Sequence, residues 1–554
     1  MTPSSRRLLA GLALAVAISL SGCGVDSGGA GESATTADDK PAKGDTFIES
    51  SIGNISALIP NIANDGASHE VGGQIYNGLV TFDKDLKVVP ELAESWTFSA
   101  DCRRLTFRLR DDVRWHDGKA FTADDVLFTH AAMVHPKTPT PYREDFEAIE
   151  KIEATDPRTI AITYKTPYAK GLQSWSMYML PKHLLESYVQ EGKLREAPQN
   201  RTSPVGTGPY RFKEWKSGEK VVLVANPDYF EKGRPYISRM VYRVIPSQAT
   251  IFLELKAKGV DAATLTALQY TRQTDFPAFK KAYNRFRWVS NTLTYFAFNL
   301  KDPRFADTRV RHAIAHAINK QELIDHVILG LGQRATGPYL PGTWPYNPDV
   351  PGLAYDPARA KALLAAAGWK DRDSDGFLVK DGRPFAFEIL TNQGNDERKK
   401  VAEIIQAALR EIGLKVDVRI IEWATLLKEH VRKRNFDAVV LGWGLGLDAD
   451  RFSFFHSSKM RPEDFNIASY ANAEVDELLE RGRATCVQDE RARAYRRVHA
   501  ILAEDVPVLF LYHREALYAV SSRIRGVKPA PVGTILYNFN EWYVPRKLQR
   551  YTAN

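Results

Sequence analysis

The chain has 554 residues, of which 44% are hydrophobic and 26% are charged, and its formal net charge is +8. This is globular composition in a chain too long for one small domain, so we expect two or three packed units. The charge is a weak bias over this length, and there is no arginine-rich arm or interleaving of basic and aromatic residues. Nucleic acid is therefore not an expected partner.

Residues 1–22 have the organisation of an export signal. Arg6 and Arg7 precede an apolar core at 8–20, which is shorter than the roughly 20 apolar residues that span a bilayer. The core ends in Leu20-Ser21-Gly22-Cys23, which resembles the bacterial lipobox, where the Cys becomes the lipid-modified first residue of the mature protein. We predict lipidation at Cys23 and an extracytoplasmic protein anchored to the membrane. The alternative is an ordinary cleaved signal with an incidental Cys.

Residues 23–45 are rich in Gly, Ser, Ala, Thr and Asp and predict a flexible tether. A domain tethered outside the cytoplasm has no ATP supply, which argues against kinases and ATPases. The three cysteines, Cys23, Cys102 and Cys486, form no CxxC pair, so neither a zinc site of the usual spacing nor a thioredoxin-like motif is indicated. Cys102 and Cys486 either form a disulfide in the exported protein or remain free.

The first half of the folded chain mixes strand and helix patterns. Residues 46–58 predict a strand and a turn, residues 69–79 a helix, and residues 105–110 a strand in which apolar residues alternate. Asp117-Gly118 is a hairpin signal. Thr122 is a candidate helix N-cap, with Asp125 placed to complete a capping box.

The second half contains a strand-helix-strand unit. Apolar residues at helical spacing predict one helix over 310–327, with Gly330 at its end. A strand at 385–391, a helix at 397–412 followed by Gly413, and a strand at 414–421 predict a βαβ unit. The polar loop at 391–396, which includes Asn392, lies where a strand ends and a helix begins. Backbone N–H groups collect at such positions, so Asn392 is a candidate ligand-binding residue.

The stretch at 435–458 predicts one wall of a cleft. A buried strand at 436–441 leads into alternate glycines around Trp443, followed by Asp448 and Asp450 and then an aromatic cluster. Ligands of open α/β sheets gather at the carboxyl ends of the strands. The alternative is that Trp443 belongs to the core and that the two acids cap the next helix.

Several motifs in the same order resemble one protein family. They are PELAESW at 90–96, RWHDGKAFTADDV at 114–126, VGTGPYRFKEW at 205–215, NPDYF at 226–230 and RVRHAIAHAINKQELI at 309–324. The chain after the tether is similar to the extracellular solute-binding proteins of family 5, the peptide- and nickel-type receptors of ABC importers. The resemblance implies a periplasmic, monomeric protein whose partners are a ligand and the permease subunits in the membrane.

The resemblance also implies an α/β fold: a two-lobed periplasmic-binding-protein fold of type II, the large class, with an extra domain inserted in the first lobe. Transferred to this chain, lobe I is formed by residues 46–76, 203–290 and 523–554. The inserted domain covers 77–202, and lobe II covers 291–522. The periodicity of the sequence does not itself indicate this discontinuity.

In the oligopeptide-binding members of this family, the ligand lies extended between the lobes and pairs its backbone with the protein backbone. The resemblance assigns this role to Asn64-Asp65-Gly66 in lobe I and to Gly442-Trp443-Gly444 in lobe II, with Tyr295 as a further cleft residue. The alternative for Asn64-Asp65-Gly66 is a plain turn, which this tripeptide favours.

One position departs from the family pattern. Several relatives have an Asp three residues after this Trp that pairs with the terminal amine of the peptide, and Gly446 occupies that position here. An unpaired buried ammonium costs several kcal/mol. We expect Asp448, or else Asp450, to replace the missing carboxylate. The alternatives are that the amine stays in water, that the ligand has no amine, or that both acids cap a helix.

Metal and enzyme motifs are incomplete. Residues 371–376 resemble the start of a calcium loop, but Gly382 stands where an EF-hand requires Glu, so a hairpin or turn is preferred. His312 and His316 lie one helical turn apart, and an exposed polar face is preferred to a metal site. HExxH, GxSxG and GxxxxGK[ST] are absent from the sequence. We therefore predict no metal, no cofactor and no enzymatic activity, with a secreted hydrolase as the contrasting hypothesis.

The sequence thus predicts a lipid-anchored binding protein that captures peptides between two lobes by hinge closure and delivers them to an ABC importer. The alternative is the same fold binding a non-peptide solute, such as a nickel chelate, an oligosaccharide or a signalling compound.

Overall fold

The computed structural model describes residues 40–84, 87–446, 448–528 and 535–551. The predicted export signal, Cys23 and most of the predicted tether lie outside the described residues. Among the described helices, none has the length and apolar character needed to cross a membrane.

The chain forms a mixed α/β fold in which the strands build three main sheets. The strands are β1 (Gly44–Ser51), β2 (Val80–Phe82), β3 (Val88–Pro90), β4 (Ala93–Phe98), β5 (Arg104–Leu109), β6 (Ile149–Asp156), β7 (Thr159–Tyr164), β8 (Tyr210–Lys216), β9 (Lys220–Ala225), β10 (Ile237–Val244), β11 (Ala262–Thr264), β12 (Tyr283–Phe298), β13 (Gly332–Arg334), β14 (Asp371–Arg372), β15 (Leu378–Lys380), β16 (Arg383–Pro384), β17 (Ala386–Asn392), β18 (Lys415–Ile421), β19 (Ala438–Gly444) and β20 (Val508–Ser521).

The helices pack on and between these sheets. They are α1 (Gly66–Ile75), α2 (Ala123–Val134), α3 (Arg143–Glu147), α4 (Gly171–Ser174), α5 (Lys182–Glu191), α6 (Gln248–Lys256), α7 (Pro277–Ala282), α8 (Pro303–Ala306), α9 (Thr308–Ala317), α10 (Lys320–Val327), α11 (Pro357–Ala366), α12 (Asp396–Glu411), α13 (Trp423–Thr425), α14 (Phe452–Phe455), α15 (Ala473–Arg483) and α16 (Gln488–Asp505).

The first sheet has the strand order β1-β10-β9-β8, with β1 parallel to β10 and the other pairs antiparallel. Its inner face packs on α1 and on the C-terminal segment, where Phe47 contacts Phe539 and Trp542. Strand β1 begins at Gly44, two residues before the predicted start of lobe I. The buried side chain of Asp45 pairs with Arg523, so this end of the predicted tether belongs to the folded part.

The second sheet, β4-β5-β7-β6, is antiparallel and lies within the segment predicted as an inserted domain. Strand β5 matches the alternating pattern from which it was predicted. The predicted capping box is confirmed: Thr122 is the N-cap of α2, and the Thr122 and Asp125 side chains cap each other's backbone.

The third sheet has seven strands, six of them in the order β11-β20-β12-β19-β17-β18, and its two longest strands connect the predicted lobes. The first part of β12 pairs with the end of β20, the pairing is interrupted between Val289 and Leu293, and it resumes with β20 from Leu293 to Ala297. Along its other edge, β12 pairs with β19 from Thr292 to Phe298. The interruption lies at the boundary predicted between residues 290 and 291. The other predicted boundary, at 522/523, falls beyond the point at which β20 already pairs with β11. Both boundaries stay predictions.

The predicted βαβ unit is confirmed by β17, α12 and β18, because β17 and β18 are parallel neighbours. Asn395 caps the start of α12, and Gly413 follows the helix with φ +94°, a conformation that glycine adopts without the penalty of a Cβ. The single helix predicted over 310–327 is wrong. It is divided into α9 and α10 because Asn319 accepts hydrogen bonds from the N–H groups of Gln321 and Glu322 and so starts a second helix.

Strand β19 is longer than predicted. The sequence placed its end before Gly442, whereas the strand continues through Gly442-Trp443-Gly444. These three residues pair with Thr292–Thr294 of β12, and this cross-strand partner holds the glycines in an extended conformation.

Candidate ligand-binding cleft

A cavity of about 560 Å³ lies between the first sheet and the third sheet. On one side it is lined by the end of β1 and the start of α1, and on the other by the carboxyl ends of β17 and β19 and the start of α12. The interrupted part of β12 and the facing part of β20 complete it. Its volume is within the range of roughly 300–1,000 Å³ that small-ligand sites occupy.

The cavity brings together part of the predicted site. The predicted residues that line it are Gly66, Asn392, Gly442, Trp443 and Gly444. The predicted residues outside its lining are Asn64, Asp65, Tyr295, Asp448 and Asp450. Contact with a ligand stays a prediction for the first group.

Asn64 and Asp65 have partners within the protein. Asp65 is the N-cap of α1, and its Oδ1 accepts a hydrogen bond from the Ser68 backbone N–H at 2.9 Å. The Asn64 Oδ1 accepts a hydrogen bond from Arg432 Nη2 at 2.6 Å. The alternative of a turn that leads into a helix therefore describes these two residues better than direct ligand binding.

Tyr295 and Trp443 form a tilted aromatic pair beside the cavity. Their ring centroids are 4.1 Å apart, and Trp443 also packs against Phe454 and Phe455. Tyr295 is 2% exposed and Trp443 is 8% exposed. Trp443 is thus both a core residue and part of the cavity lining, whereas Tyr295 contacts the Trp443 ring and does not line the cavity.

Asp448 and Asp450 are not available to replace the missing carboxylate. Asp448 pairs with Arg491 at 2.6 Å, and Asp450 pairs with Arg483, whose Nε lies 3.1 Å from the carboxylate. Burial would raise the pKa of Asp450, but the positive charges of Arg483 and Lys170 and the hydrogen bonds to the carboxylate together outweigh it, so the pKa is lowered. Asp450 also accepts a hydrogen bond from the Phe452 N–H at 2.9 Å, at the start of α14, whereas Asp448 accepts one from the Asp450 N–H at 2.8 Å. The alternative that both acids cap the next helix therefore describes Asp450 and not Asp448.

One edge of β19 is open at the cavity. β17 pairs with β19 only through Ile389–Ala438 and Leu390–Val439, and β12 pairs with the opposite edge as far as Gly444. Within the part of the chain that the structure describes, the edge at residues 441–444 therefore has no neighbouring strand on the β17 side. Gly444 has no heavy atom within 4 Å of the position that a Cβ would occupy, so an extended chain could approach its backbone.

Sequence reasoning missed five charged residues of the lining: Glu49, Glu70, Arg398, and Glu397 with its ion-pair partner Arg514. Glu49 lies on β1, where only Phe47 and Ile48 are apolar, so the sequence pattern did not mark its side chain as buried. Glu70 and Arg398 lie in amphipathic helices, where a charged residue carries no signal of its own.

The metal alternatives have structural explanations in the described residues. Residues 371–376 lie in the β14–β15 hairpin, where Asp373 Oδ1 accepts hydrogen bonds from the N–H groups of Asp375 and Phe377. His316 is buried and contacts the Ala354 carbonyl oxygen at 2.6 Å, so the predicted exposed face is wrong for this residue. No group of three potential metal ligands occurs among the described residues.

A larger cavity of about 1050 Å³ lies at the amino ends of β17 and β19. Several of its charged residues form ion pairs within the lining: Arg304 pairs with both Asp302 and Asp437, the latter at 2.8 Å, and Arg419 pairs with Glu388. We prefer the smaller cavity as the ligand site because ligands of such sheets bind at the carboxyl ends of the strands.

Comparison with known proteins identifies the family. The family model described as bacterial extracellular solute-binding proteins, family 5 Middle, matches residues 87–461. The chain is 32% identical over 540 residues to the oligopeptide-binding protein AppA of Bacillus subtilis, covering 96% of this chain and 97% of AppA. It is 29% identical over 553 residues to heme-binding protein A of Haemophilus influenzae, covering 95% and 98% of the two chains.

Solved structures agree with this assignment. The structure of B. subtilis AppA in complex with a nonapeptide matches with a TM-score of 0.86 and 32% identity, covering 91% of this chain and all (100%) of that chain. NikZ of Campylobacter jejuni in complex with Ni(L-His) matches with a TM-score of 0.81 and 30% identity, covering 90% and 99%. The predicted two-lobed α/β fold of the periplasmic-binding-protein type is confirmed. The chain belongs to the bacterial extracellular solute-binding proteins of family 5.

Proposed function

We propose that this protein binds peptides in the cavity at the end of β19 and delivers them to an ABC importer, without chemistry on the ligand. The observation that carries the proposal is the open edge of β19 at residues 441–444, beside the cavity. An extended peptide can add to such an edge as a further strand, and backbone hydrogen bonds then supply affinity without demanding one side-chain sequence.

The walls of the cavity suit varied side chains. Trp423, Trp443 and Tyr512 present aromatic surface, while Asn291, Thr292 and Asn392 add neutral polar groups. Aromatic surface and adaptable amides accept many side chains, whereas a single-solute site needs a fixed pattern of polar partners. The similarity to AppA, which has been solved with a nonapeptide, supports the same ligand class.

Hinge closure is the proposed mechanism of capture. β12 and β20 are the long strands between the predicted lobes, and the β12 pairing is interrupted beside the cavity. Asn64 and Arg432 join the start of α1 to the segment before β19. Opening would break such side-chain contacts while the two strands remain continuous, as expected of a hinge.

Delivery of a ligand to an importer requires that the protein is close to the membrane. We propose that Cys23 carries the lipid anchor, that the mature protein is a periplasmic or otherwise extracytoplasmic monomer, and that permease subunits are its partners. The lipobox-like Leu20-Ser21-Gly22-Cys23 and the extracellular family support this placement. Labelling of cells with a radioactive fatty acid should mark the wild type and not a Cys23→Ala variant.

Native mass spectrometry of the mature chain, with Cys23→Ala and the leader removed, tests the ligand class. A series of added masses that fragment as short peptides is the expected result. A single non-peptide mass, such as a nickel chelate or an oligosaccharide, would replace the peptide proposal with the non-peptide alternative. Incubation with an added peptide should return it intact, because turnover would support a hydrolase instead.

A further inference from the structure

Two carboxylates line the lobe I side of the cavity. Glu49 on β1 is 3% exposed, accepts a hydrogen bond from the Ser50 N–H at 3.1 Å and accepts another from the Tyr518 hydroxyl. Tyr242 lies opposite Glu49 in the β1–β10 ladder, and its hydroxyl donates to Glu70 at 2.5 Å. One strand and one tyrosine thus bring Glu49 and Glu70 together, and we call them the acidic pair.

The acidic pair has no cation of its own within the described part of the chain. Its hydrogen-bond donors are neutral hydroxyls and a backbone N–H. The main causes that shift the pKa of either carboxyl group are burial, hydrogen bonds and neighbouring carboxylates, with no Lys, Arg or His among them. Burial raises the pKa of both groups, and the neighbouring charge of Glu70 raises that of Glu49 further. A positive group entering the cavity would therefore meet carboxyl groups that have no cation beside them, and its charge would favour their ionised form.

The opposite side of the cavity carries the complementary group. Arg398 in the first turn of α12 donates from Nη1 to Asn392 Oδ1 at 2.9 Å, and its Nη2 lies against Gly442. It forms no ion pair with a described carboxylate, whereas the nearby Arg514 pairs with Glu397 at 3.1 Å. Burial lowers the pKa of Arg398, because its charge is removed from water without a counter-ion.

We infer that the cavity is bipolar and selects short zwitterionic peptides, with a ligand ammonium or guanidinium against Glu49 and Glu70 and a ligand carboxylate on Arg398. This inference rests on the proposed peptide-binding function. It also answers the question raised by Gly446, since the cation is received on the lobe I side and not by Asp448 or Asp450. A ligand of complementary charge satisfies groups that are desolvated but unpaired in the free protein.

The geometry fits each role chemically. A guanidinium offers donors in a planar fork that matches a carboxylate, and Arg398 uses one arm of the fork on a neutral amide. Two neighbouring carboxylates supply the acceptors that an ammonium group, with three donors, requires. The cation is either the terminal amine of the peptide or a basic side chain, and the two sources have the same chemistry.

Calorimetry with one peptide in four forms tests the inference. The forms are an Ala-rich tetrapeptide with free ends, its N-acetylated form, its C-amidated form, and the N-acetylated form with Lys in place of one Ala. Capping either end should weaken binding to the wild type by about 10- to 100-fold, the effect of losing one charged hydrogen-bonding partner. Restored affinity of the acetylated Lys peptide would identify a basic side chain as the second source of the cation.

Variants test which protein residue binds the cation of the ligand and which binds its carboxylate. Glu70→Gln should remove the penalty for N-acetylation and leave the penalty for C-amidation, and Arg398→Gln should do the reverse. Arg398→Lys should recover part of the discrimination against the amide. Glu219→Gln and Lys399→Gln, which alter exposed residues outside the cavity lining, are the matched controls and should behave as the wild type. Thermal unfolding of each variant separates lost binding from lost folding.

The number of protons released on binding gives a further test, because a Glu49 with a purely structural role would not change it. The ionisable groups around Glu49 are Glu70 on α1, Tyr242 on β10, Tyr518 on β20 and Asp261 before β11, and burial is the main cause that raises the Glu49 pKa to about 8. A bound cation favours the ionised carboxylate, so binding at pH 7 should release protons. Titrations in buffers of different ionisation enthalpy measure this release, which should fall in Glu49→Gln.

The outcomes distinguish failure of the proposed function from failure of the bipolar cavity. If no peptide form binds the wild type, the proposed function fails. If peptides bind but all four forms have equal affinity, or if Glu70→Gln and Arg398→Gln keep both capping penalties, peptide binding stands and the bipolar cavity is refuted.

Discussion

Cys102 and Cys486 form a disulfide that joins chain segments 384 residues apart, with 6.2 Å between their Cα atoms. Cys102 precedes β5 of the second sheet, and Cys486 lies between α15 and α16, so the bond ties the predicted inserted domain to predicted lobe II. Nearby, Lys459 and Glu144 form a buried ion pair at 3.3 Å across the same contact. The sequence left the pairing open because the spacing of two distant cysteines carries no structural information.

We predict that the disulfide limits how far the cleft opens. Reduction, or a Cys102→Ser/Cys486→Ser double variant, should lower the free energy of unfolding by about 2–5 kcal/mol and speed ligand release several-fold. Stopped-flow dissociation of a fluorescent peptide, with and without a thiol reductant, measures the second effect. The reductant should change nothing in the double variant. An equal dissociation rate in the oxidised and reduced wild type would show that the bond does not restrain opening.

Trp443 should report on both packing and binding. Trp443→Ala removes the ring that packs against Tyr295, with 4.1 Å between the ring centroids, and should lower the free energy of unfolding by about 3–5 kcal/mol. Trp443→Phe keeps an aromatic contact and should cost less stability while still weakening peptide binding. Urea unfolding and calorimetry on the same samples separate the effects. If the Trp443→Ala protein had wild-type stability, Trp443 would not be a core residue.

Gly444 provides a test of the open strand edge. A Cβ at Gly444 or at Gly446 meets no heavy atom within 4 Å, but only Gly444 lines the cavity. Gly444→Val should therefore fold normally, since β-branched residues suit strands, and weaken peptide binding by at least about tenfold through blocking the edge. Gly446→Val is the matched control and should bind as the wild type. Similar affinities for the two variants would argue against strand addition at this edge.

Local signals made part of this fold predictable. The capping box of Thr122 and Asp125 depends on residues within one helical turn, and the end of α12 at Gly413 depends on a single backbone conformation. The same kind of signal was overlooked at Asn319, whose side chain starts α10 and divides the predicted helix. Where one turn of chain decides the structure, the sequence suffices.

The candidate site depends on contacts between distant segments, and these could not be read in advance. The sequence shows two free acids after Trp443, but Arg483 and Arg491, which neutralise them, come from α15 and α16. In the same way, Glu49 and Glu70 come together because Tyr242, the ladder partner of Glu49, donates a hydrogen bond to Glu70. A ligand can pair only with charged side chains that have no partner within the protein. Which side chains these are depends on the tertiary structure.

Glu91 should make the free energy of unfolding depend on pH. Its carboxylate accepts hydrogen bonds from Asn77 Nδ2 at 2.7 Å and the Gly78 N–H at 2.9 Å, yet burial raises its pKa from 4.5 to about 8. Because the pKa is higher in the folded than in the unfolded state, the stabilisation is complete below pH 4.5 and is lost as the pH rises to about 8.

Between these limits, Glu91 should lower the free energy of unfolding by up to about 1.4 kcal/mol per pH unit. Urea unfolding at pH 5, 6, 7 and 8 should therefore show a shallower decline in Glu91→Gln, whose amide does not ionise, than in the wild type. The exposed Glu186 offers the control, since Glu186→Gln should give a curve parallel to the wild type. Burial also raises the pKa of Glu49 to about 8, so Glu49 lowers the free energy of unfolding over the same pH range. This contribution is present in the wild type and in both variants. Parallel curves for Glu91→Gln and the wild type would mean that Glu91 is already ionised in the folded protein at pH 5.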